Sequence, residues 1–285
     1  MPGTLFIVAT PIGNLQDITH RALRVLAEVD LIACEDTRHT RKLLNHFGIA
    51  TATISYHEHN EPERAGELCE ALESGQNIAL VSDAGTPLIS DPGFRVVNAA
   101  AERGISIVPI PGAAAFITAL SASGLATDQF LFAGFLPSRA GARRAKLSEL
   151  TSISSTLVFY EAPHRIKATL KDAREVFGDR EAVIARELTK LHEEFARGTL
   201  SELVERFSKV EARGELVLMI SGQNAEAAGS SRTTSSEDQL RERMDELVRE
   251  GVDQKTALKK AAKELGLKRD DAYRMMVSQK NRRTR

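Results

Sequence analysis

An α/β fold with two αβα domains and a small all-α C-terminal appendage is predicted by three features of the 285-residue chain. Over the first 122 residues, short apolar runs alternate with amphipathic helical stretches. Continuous apolar strands joined by helical crossovers mean a mostly parallel sheet covered on both faces. Between 123 and 222 the strands come closer together, so that some neighbours must pair antiparallel in a mixed sheet. From Glu237 onward the pattern is purely helical.

In the first domain, strands are expected at 5–10, 31–36, 53–56, 78–83 and 105–110, and helices at 19–28, 38–47, 63–73, 94–103 and 113–121. The stretch around Gly124 marks the boundary. Strands then follow at 130–135, 156–160, 182–188, 194–198 and 215–220, with helices at 140–150, 165–176 and 200–207. Residues 223–236, nearly free of large apolar side chains, read as a flexible linker. The last domain, 237–285, carries 14 Lys and Arg against 10 Asp and Glu, whereas the rest of the chain carries 24 against 29. Ala262 and Gly266 have the spacing of a helix-turn-helix, which would present Lys268, Arg269 and Arg274 to phosphates; a small helical bundle with a solvated basic face is the other reading.

Composition sets bounds. Aromatics make up 5% of the chain with no Trp, too few for extended base-stacking platforms. Cys34 and Cys69 form no CxxC pair and read as buried thiols of a reducing compartment. His57 and His59 lack further ligands at metal spacing, so no metal is expected. With neither a leader pattern nor a membrane-length apolar run, a cytoplasmic protein without a membrane partner is expected.

The chemistry should lie in the loops that follow strands, where open α/β sheets bind ligands. The eleven residues from Asp83 to Gly93 hold two Asp, two Gly and two Pro and exceed an ordinary βα connection. Asp83, at the strand tip, is expected to face the ligand and Asp91 to cap the next helix. The first loop, Thr10-Pro11-Ile12-Gly13-Asn14, lacks GxGxxG, and the chain has no P-loop, so the ligand should carry no phosphate. Pro111-Gly112-Ala113 opens a helix with small residues, which suits a carboxylate at its amides. Arg38, Arg41 and Lys42 after the second strand, and Arg139, Arg143 and Arg144, are basic clusters; each is either a phosphate contact or a solvated helix face. Glu161-Ala162-Pro163-His164-Arg165 occupies a strand end in the second domain.

Taken together, residues 5–15, Glu35-Asp36-Thr37-Arg38, the 82–93 loop, Pro111-Gly112, Gly134-Phe135-Leu136-Pro137 and Glu161–Arg165 resemble the tetrapyrrole-methylase-like (class III) methyltransferases. Within that family the likeness is to the branch acting on small-subunit ribosomal RNA, and it covers about residues 4–222. The resemblance implies S-adenosylmethionine (SAM) between the two domains, 2′-O-methylation of a decoding-centre cytidine (position 1402) of 16S ribosomal RNA, and a homodimer. It places SAM on Asp83, Ala84, Gly85, Thr86, Pro87, Ile89, Pro111, Gly112 and Ala113, and near Glu161, Ala162, Leu216 and Leu218. Pro11 and Gly13 are placed on the cofactor as well, although they stand where tetrapyrrole-modifying relatives have a glycine-rich loop; the departure favours the RNA branch. The ribose hydroxyl needs a proton acceptor or a polarising group, and Asp36, His164, Glu187 and Lys190 are the candidates. Arg38, Arg41 and Arg165 are expected on RNA phosphates. The competing readings are a tetrapyrrole methyltransferase, for which a basic appendage serves no purpose, and a non-catalytic ribosome-assembly protein on the same scaffold.

Overall fold

The computed structural model describes residues 1–210, 214–223, 240, 243–244, 247–249 and 252–264. Residues 1–225 and 226–285 form two compact units. Of the linker expected at 223–236, all but the first residue lies outside the described residues, as do Lys268, Arg269 and Arg274.

The first unit carries two five-stranded sheets. In the first, β1 (Thr4–Val8), β2 (Leu31–Cys34), β3 (Thr53–Ser55), β4 (Ile78–Val81) and β5 (Ser106–Ile110) are parallel, in the order β3-β2-β4-β1-β5. Helices α1 (His20–Glu28) and α2 (Thr37–His46) cover one face, where Ala22, Val25, Leu26 and Leu44 pack on Val8, Ile32, Ala79 and Ile110. Helices α3 (Glu61–Glu73) and α4 (Phe94–Glu102) cover the other through Leu68, Leu72, Val96 and Ala100. Neighbours β1 and β4 thus send their following helices to opposite faces. That divergence opens a crevice at their carboxyl ends.

The second sheet runs β6-β7-β10-β8-β9: β6 (Phe130–Phe135), β7 (Thr156–Glu161), β8 (Glu181–Arg186), β9 (Glu194–Thr199) and β10 (Leu216–Ile220). Only β6 and β7 are parallel, so the sheet is mixed, as the strand density requires. Helices α6 (Ala140–Glu149), α7 (Ile166–Phe177) and α8 (Leu200–Lys209) bury one face. The other face is covered by α5 (Ala115–Ser123) through Ala119 and Leu120. The boundary expected at 122 therefore falls within α5, a helix that packs on the second sheet. Thr199 and Glu202 form a reciprocal capping box that starts α8. Both cysteines are buried and free. Among the described residues no helix is long and apolar enough to cross a membrane.

In the second unit, Leu240, Met244 and Leu247 pack with Ala257, Ala261 and Ala262, the last three on helix α9 (Gln254–Glu264).

Candidate active-site cleft

Three loops of the first sheet are tied to one another. Thr10 and Gly85 exchange backbone hydrogen bonds of 2.9 and 3.1 Å. The Thr10 hydroxyl donates to the Ser82 carbonyl at 3.1 Å, and that of Thr86 to the Ala113 carbonyl at 3.1 Å. Gly85 has φ +86° and Gly93 +140°, conformations that favour glycine. Every non-glycine residue with positive φ among those described (Leu88, Ser90, Glu187, Thr189) lies in the 83–93 loop or in the turn after β8. Backbone strain of this kind persists only where surrounding contacts hold it, and it concentrates at ligand sites.

These two segments face a cleft of about 260 Å³. The first sheet lines it with Ile12, Glu35, Asp83, Ala84, Gly85, Thr86, Ile89, Ser90 and Asp91; α5 adds Ala114 and Ala115. The second sheet contributes Phe135, Tyr160, Glu161, Glu187, Leu188, Lys190, Glu215, Leu216 and Val217. Its charge is one-sided: six carboxylates face one ammonium. Lys190 pairs with Glu187 at 2.9 Å and Arg165 with Glu161 at 3.1 Å, which leaves Glu35, Asp83, Asp91 and Glu215 without a salt bridge among the described residues. Burial raises the Asp91 carboxyl to about 6; the Ser82 hydroxyl opposes the rise, while Glu35, Asp83 and Glu215 add to it. Burial, then Asp83, likewise raise Glu35. A cation is the ligand such a cleft best accommodates.

Several expected site residues meet here: Asp83, Ala84, Gly85, Thr86, Ile89, Glu161, Leu216, Glu187 and Lys190 all line the cleft. Pro11, Gly13, Pro87, Pro111, Gly112, Ala113 and Ala162 lie in the same loops or beside them without lining it. Two of the glycines have packing reasons: a Cβ on Gly112 would stand 2.8 Å from the Ala9 Cβ, and one on Gly13 2.7 Å from the Lys190 Cγ.

Five expectations are corrected. Leu218 is fully buried in the core beneath α6–α8: the cleft reaches only the first residues of β10, Leu216 and Val217 on opposite faces, and Leu218 lies two residues deeper. Asp36 accepts from the Arg38 backbone and guanidinium, which hold its carboxyl down to about 2 and turn it to the start of α2; it does not line the cleft. Arg143 is 5% exposed and bound to Asp172. Arg165 bonds the Leu136 carbonyl and Glu161, fastening the loop rather than offering itself to phosphate. Asp91 does not cap α4; Glu61 does, accepting from the Gly93 and Arg95 amides at 3.1 Å each. His164 is exposed and outside the lining, and Arg38, Arg41, Lys42, Arg139 and Arg144 are exposed on the surface.

The residues missed were Ile12, Glu35, Ser90, Asp91, Ala114, Ala115, Phe135, Tyr160, Leu188, Glu215 and Val217. Glu35 and Tyr160 had a signal, since each stands at the carboxyl end of a strand. Phe135 lay within the Gly134–Pro137 segment of the family resemblance but had no local signal of its own: it reaches the cleft through a β-bulge between Phe132 and Phe135 at Gly134, φ +62°.

The fold and cleft define an α/β protein of two sheets with an acidic cleft at its strand ends. The sequence profile described as Tetrapyrrole (Corrin/Porphyrin) Methylases matches residues 4–204. Ribosomal RNA small subunit methyltransferase I of a Synechocystis species is 49% identical over 276 residues, 96% of this chain and 98% of that protein. The protein of the same name from Halalkalibacterium halodurans is 48% identical over 271 residues, 95% of this chain and 93% of that one. The chain therefore belongs to the tetrapyrrole methylase family, in the group of the ribosomal RNA small subunit methyltransferases I. Among solved structures, cobalt precorrin-4 methyltransferase shares the fold with TM-score 0.59 at 17% identity, covering 76% of this chain and 94% of its own. Uroporphyrin-III C-methyltransferase from Thermus thermophilus, solved with S-adenosyl homocysteine, does so at TM-score 0.56 and 19% identity, covering 79% and 100%.

Proposed function

We propose that this protein transfers the methyl group of SAM to the 2′-hydroxyl of a cytidine ribose, position 1402, in 16S ribosomal RNA, working in the cytoplasm as a homodimer. The observation that carries the reading is the cleft with four carboxylates that make no salt bridge among the described residues. SAM has a sulfonium and an ammonium but no phosphate, so an acidic cleft without a P-loop suits it, while RNA belongs at the rim. Support for the dimer comes from β6, an edge strand on which Phe130 and Leu131 are 40% and 36% exposed.

When bound, SAM supplies an electrophilic methyl group whose leaving group becomes neutral. The residues do the rest. Glu35, Asp83, Asp91 and Glu215 would hold the positive charges, and Tyr160, Leu216 and Val217 offer an apolar wall for a ring. Glu187, oriented by Lys190, would accept the ribose proton. His164, exposed at the next strand end, would contact the RNA.

The test is transfer of labelled methyl from SAM to small subunits that lack the modification. Label on a ribose 2′-oxygen is expected. Label in a porphyrin precursor instead, or SAM binding without any transfer, overturns the reading.

A second expected result concerns Asp91. Its folded carboxyl titrates near 6, above the ordinary carboxylate, so the folded state binds more protons than the unfolded one between about pH 4 and 6. Stability contributed by Asp91 is therefore present at low pH and lost as pH rises through 6. Asp91→Asn should raise the melting temperature at pH 7.5 and weaken SAM binding about tenfold, roughly 1.4 kcal/mol. In the parent protein, SAM affinity should fall below pH 6 as the carboxylate protonates. Titration calorimetry from pH 5 to 8 measures the affinity and thermal melts the stability; an affinity that is flat across that range removes Asp91 from the cation-binding set.

A further inference from the structure

We propose that the outer faces of α1 and α2 form one continuous phosphate-binding surface that leads the RNA backbone to the mouth of the cleft. The inference rests on the reading of the protein as an RNA methyltransferase and extends it to a surface that includes α1.

Both helices pack on the same face of the first sheet, so their solvent sides face the same way. His20, Arg21 and Arg24 are exposed on α1, and Arg38, His39, Arg41, Lys42 and His46 on α2. Helix α2 contains no Asp or Glu, and α1 contains only Glu28, at its far end. Arg21, Arg24 and Lys42 make no ion pair among the described residues, while Arg38 meets Asp36 yet keeps its side chain 88% exposed. This concentration sits on a chain that, up to residue 236, has five more acids than bases.

The cations of α6 are the contrast. Arg143 is buried against Asp172, and Arg144 lies 3.5 Å from Asp172 and 3.6 Å from Glu175. Arg143 is neutralised inside the fold and Arg144 is paired at its surface; Arg21, Arg24 and Lys42 are held out to solvent without a partner among the described residues. Position gives the direction. The loop carrying Ile12 precedes α1, and Glu35 stands two residues before α2, so both helix N-termini rise from cleft-lining segments. A polyanion lying along the two helices would meet the cleft at its open side, where the acidic interior turns it back and admits only a nucleoside.

The experiment compares two charge-matched variants of the full chain. One replaces Arg21, Arg24 and Lys42 by Ala; the other replaces Lys167, Lys171 and Arg174 of α7, also exposed. Binding to a small-subunit RNA fragment is titrated between about 50 and 300 mM salt, a range over which screening of surface charge deepens steadily. The first variant should flatten the slope of log affinity against log salt by about 2, since each phosphate no longer neutralised removes roughly 0.7–0.9 from it. SAM affinity and melting temperature should stay at the parent values, and the α7 variant should behave as the parent. A parent slope in the first variant, an equal loss in both, or competition by polyglutamate as strong as by RNA overturns the surface. The two readings fail separately: a parent protein that binds RNA with the expected slopes but transfers no methyl removes only the function, and one that transfers methyl while the α1–α2 variant keeps the parent slope removes only the surface.

Discussion

Glu187→Gln should lower the single-turnover rate of methyl transfer by a factor of about 100 or more, the range that a positioned general base supplies. The replacement keeps the side chain's shape and removes its ability to accept a proton. Three features show that the carboxylate is placed rather than incidental. Glu187 adopts φ +51°, an uncommon conformation for a residue with a side chain. The Lys190 ammonium donates to its Oε1 at 2.9 Å. Its side chain also lies over Gly214, where a Cβ would overlap Oε1. Gly214 has φ +72°, so both its backbone and its missing side chain make room for this carboxylate. Gly214→Ala should then reproduce the loss by pushing Glu187 aside, with SAM still bound. A Glu187→Gln enzyme that turns over at the parent rate removes Glu187 from proton transfer; one that loses rate only because it no longer binds SAM places the residue among the cofactor contacts instead.

The strand-and-helix order was legible because each element of the first unit carries its own local signal. Runs such as Ile78–Val81 are buried on both sides, and helices such as α1 show an apolar stripe bounded by a Thr19 cap. The 83–93 loop was legible for the same reason: its Gly and Pro report local geometry. What sequence reasoning missed is long-range. Glu61 caps α4 from 32 residues away, so Asp91, the nearer acid and the natural local candidate, was left to face the cleft. Arg143 looked like part of an exposed cluster because nothing local reveals that Asp172 meets it 29 residues on. Leu218 was misplaced for a different reason: the cleft meets only the start of β10, where Leu216 and Val217 both line it, and how far along a strand a cleft reaches is set by the packing of other elements and not by the strand's own pattern.

Arg143→Ala costs the protein about 3 kcal/mol of stability, the low end for a broken buried pair, and leaves the salt dependence of RNA binding unchanged. The guanidinium is bound at 2.7 and 2.6 Å to Asp172 Oδ2 and at 3.1 Å to the Ser138 carbonyl, with side chains 5% and 9% exposed. Removing it leaves the Asp172 carboxylate buried with only the half-exposed Arg144 at 3.5 Å, and breaking one side of a buried pair is far more costly than the pair is worth. Between α6 and α7 that pair stands in place of apolar packing, so Arg143→Met with Asp172→Leu should recover most of the loss, whereas either change alone should not. For a unit of this size the single change lowers the melting temperature by about 6–12 °C. Thermal melts of the parent, the two single variants and the double variant, with RNA titrations at two salt concentrations, separate structure from recognition. A stable Arg143→Ala variant with a flattened salt slope would return Arg143 to the RNA-binding set; a destabilised one with the parent slope assigns the residue to the fold.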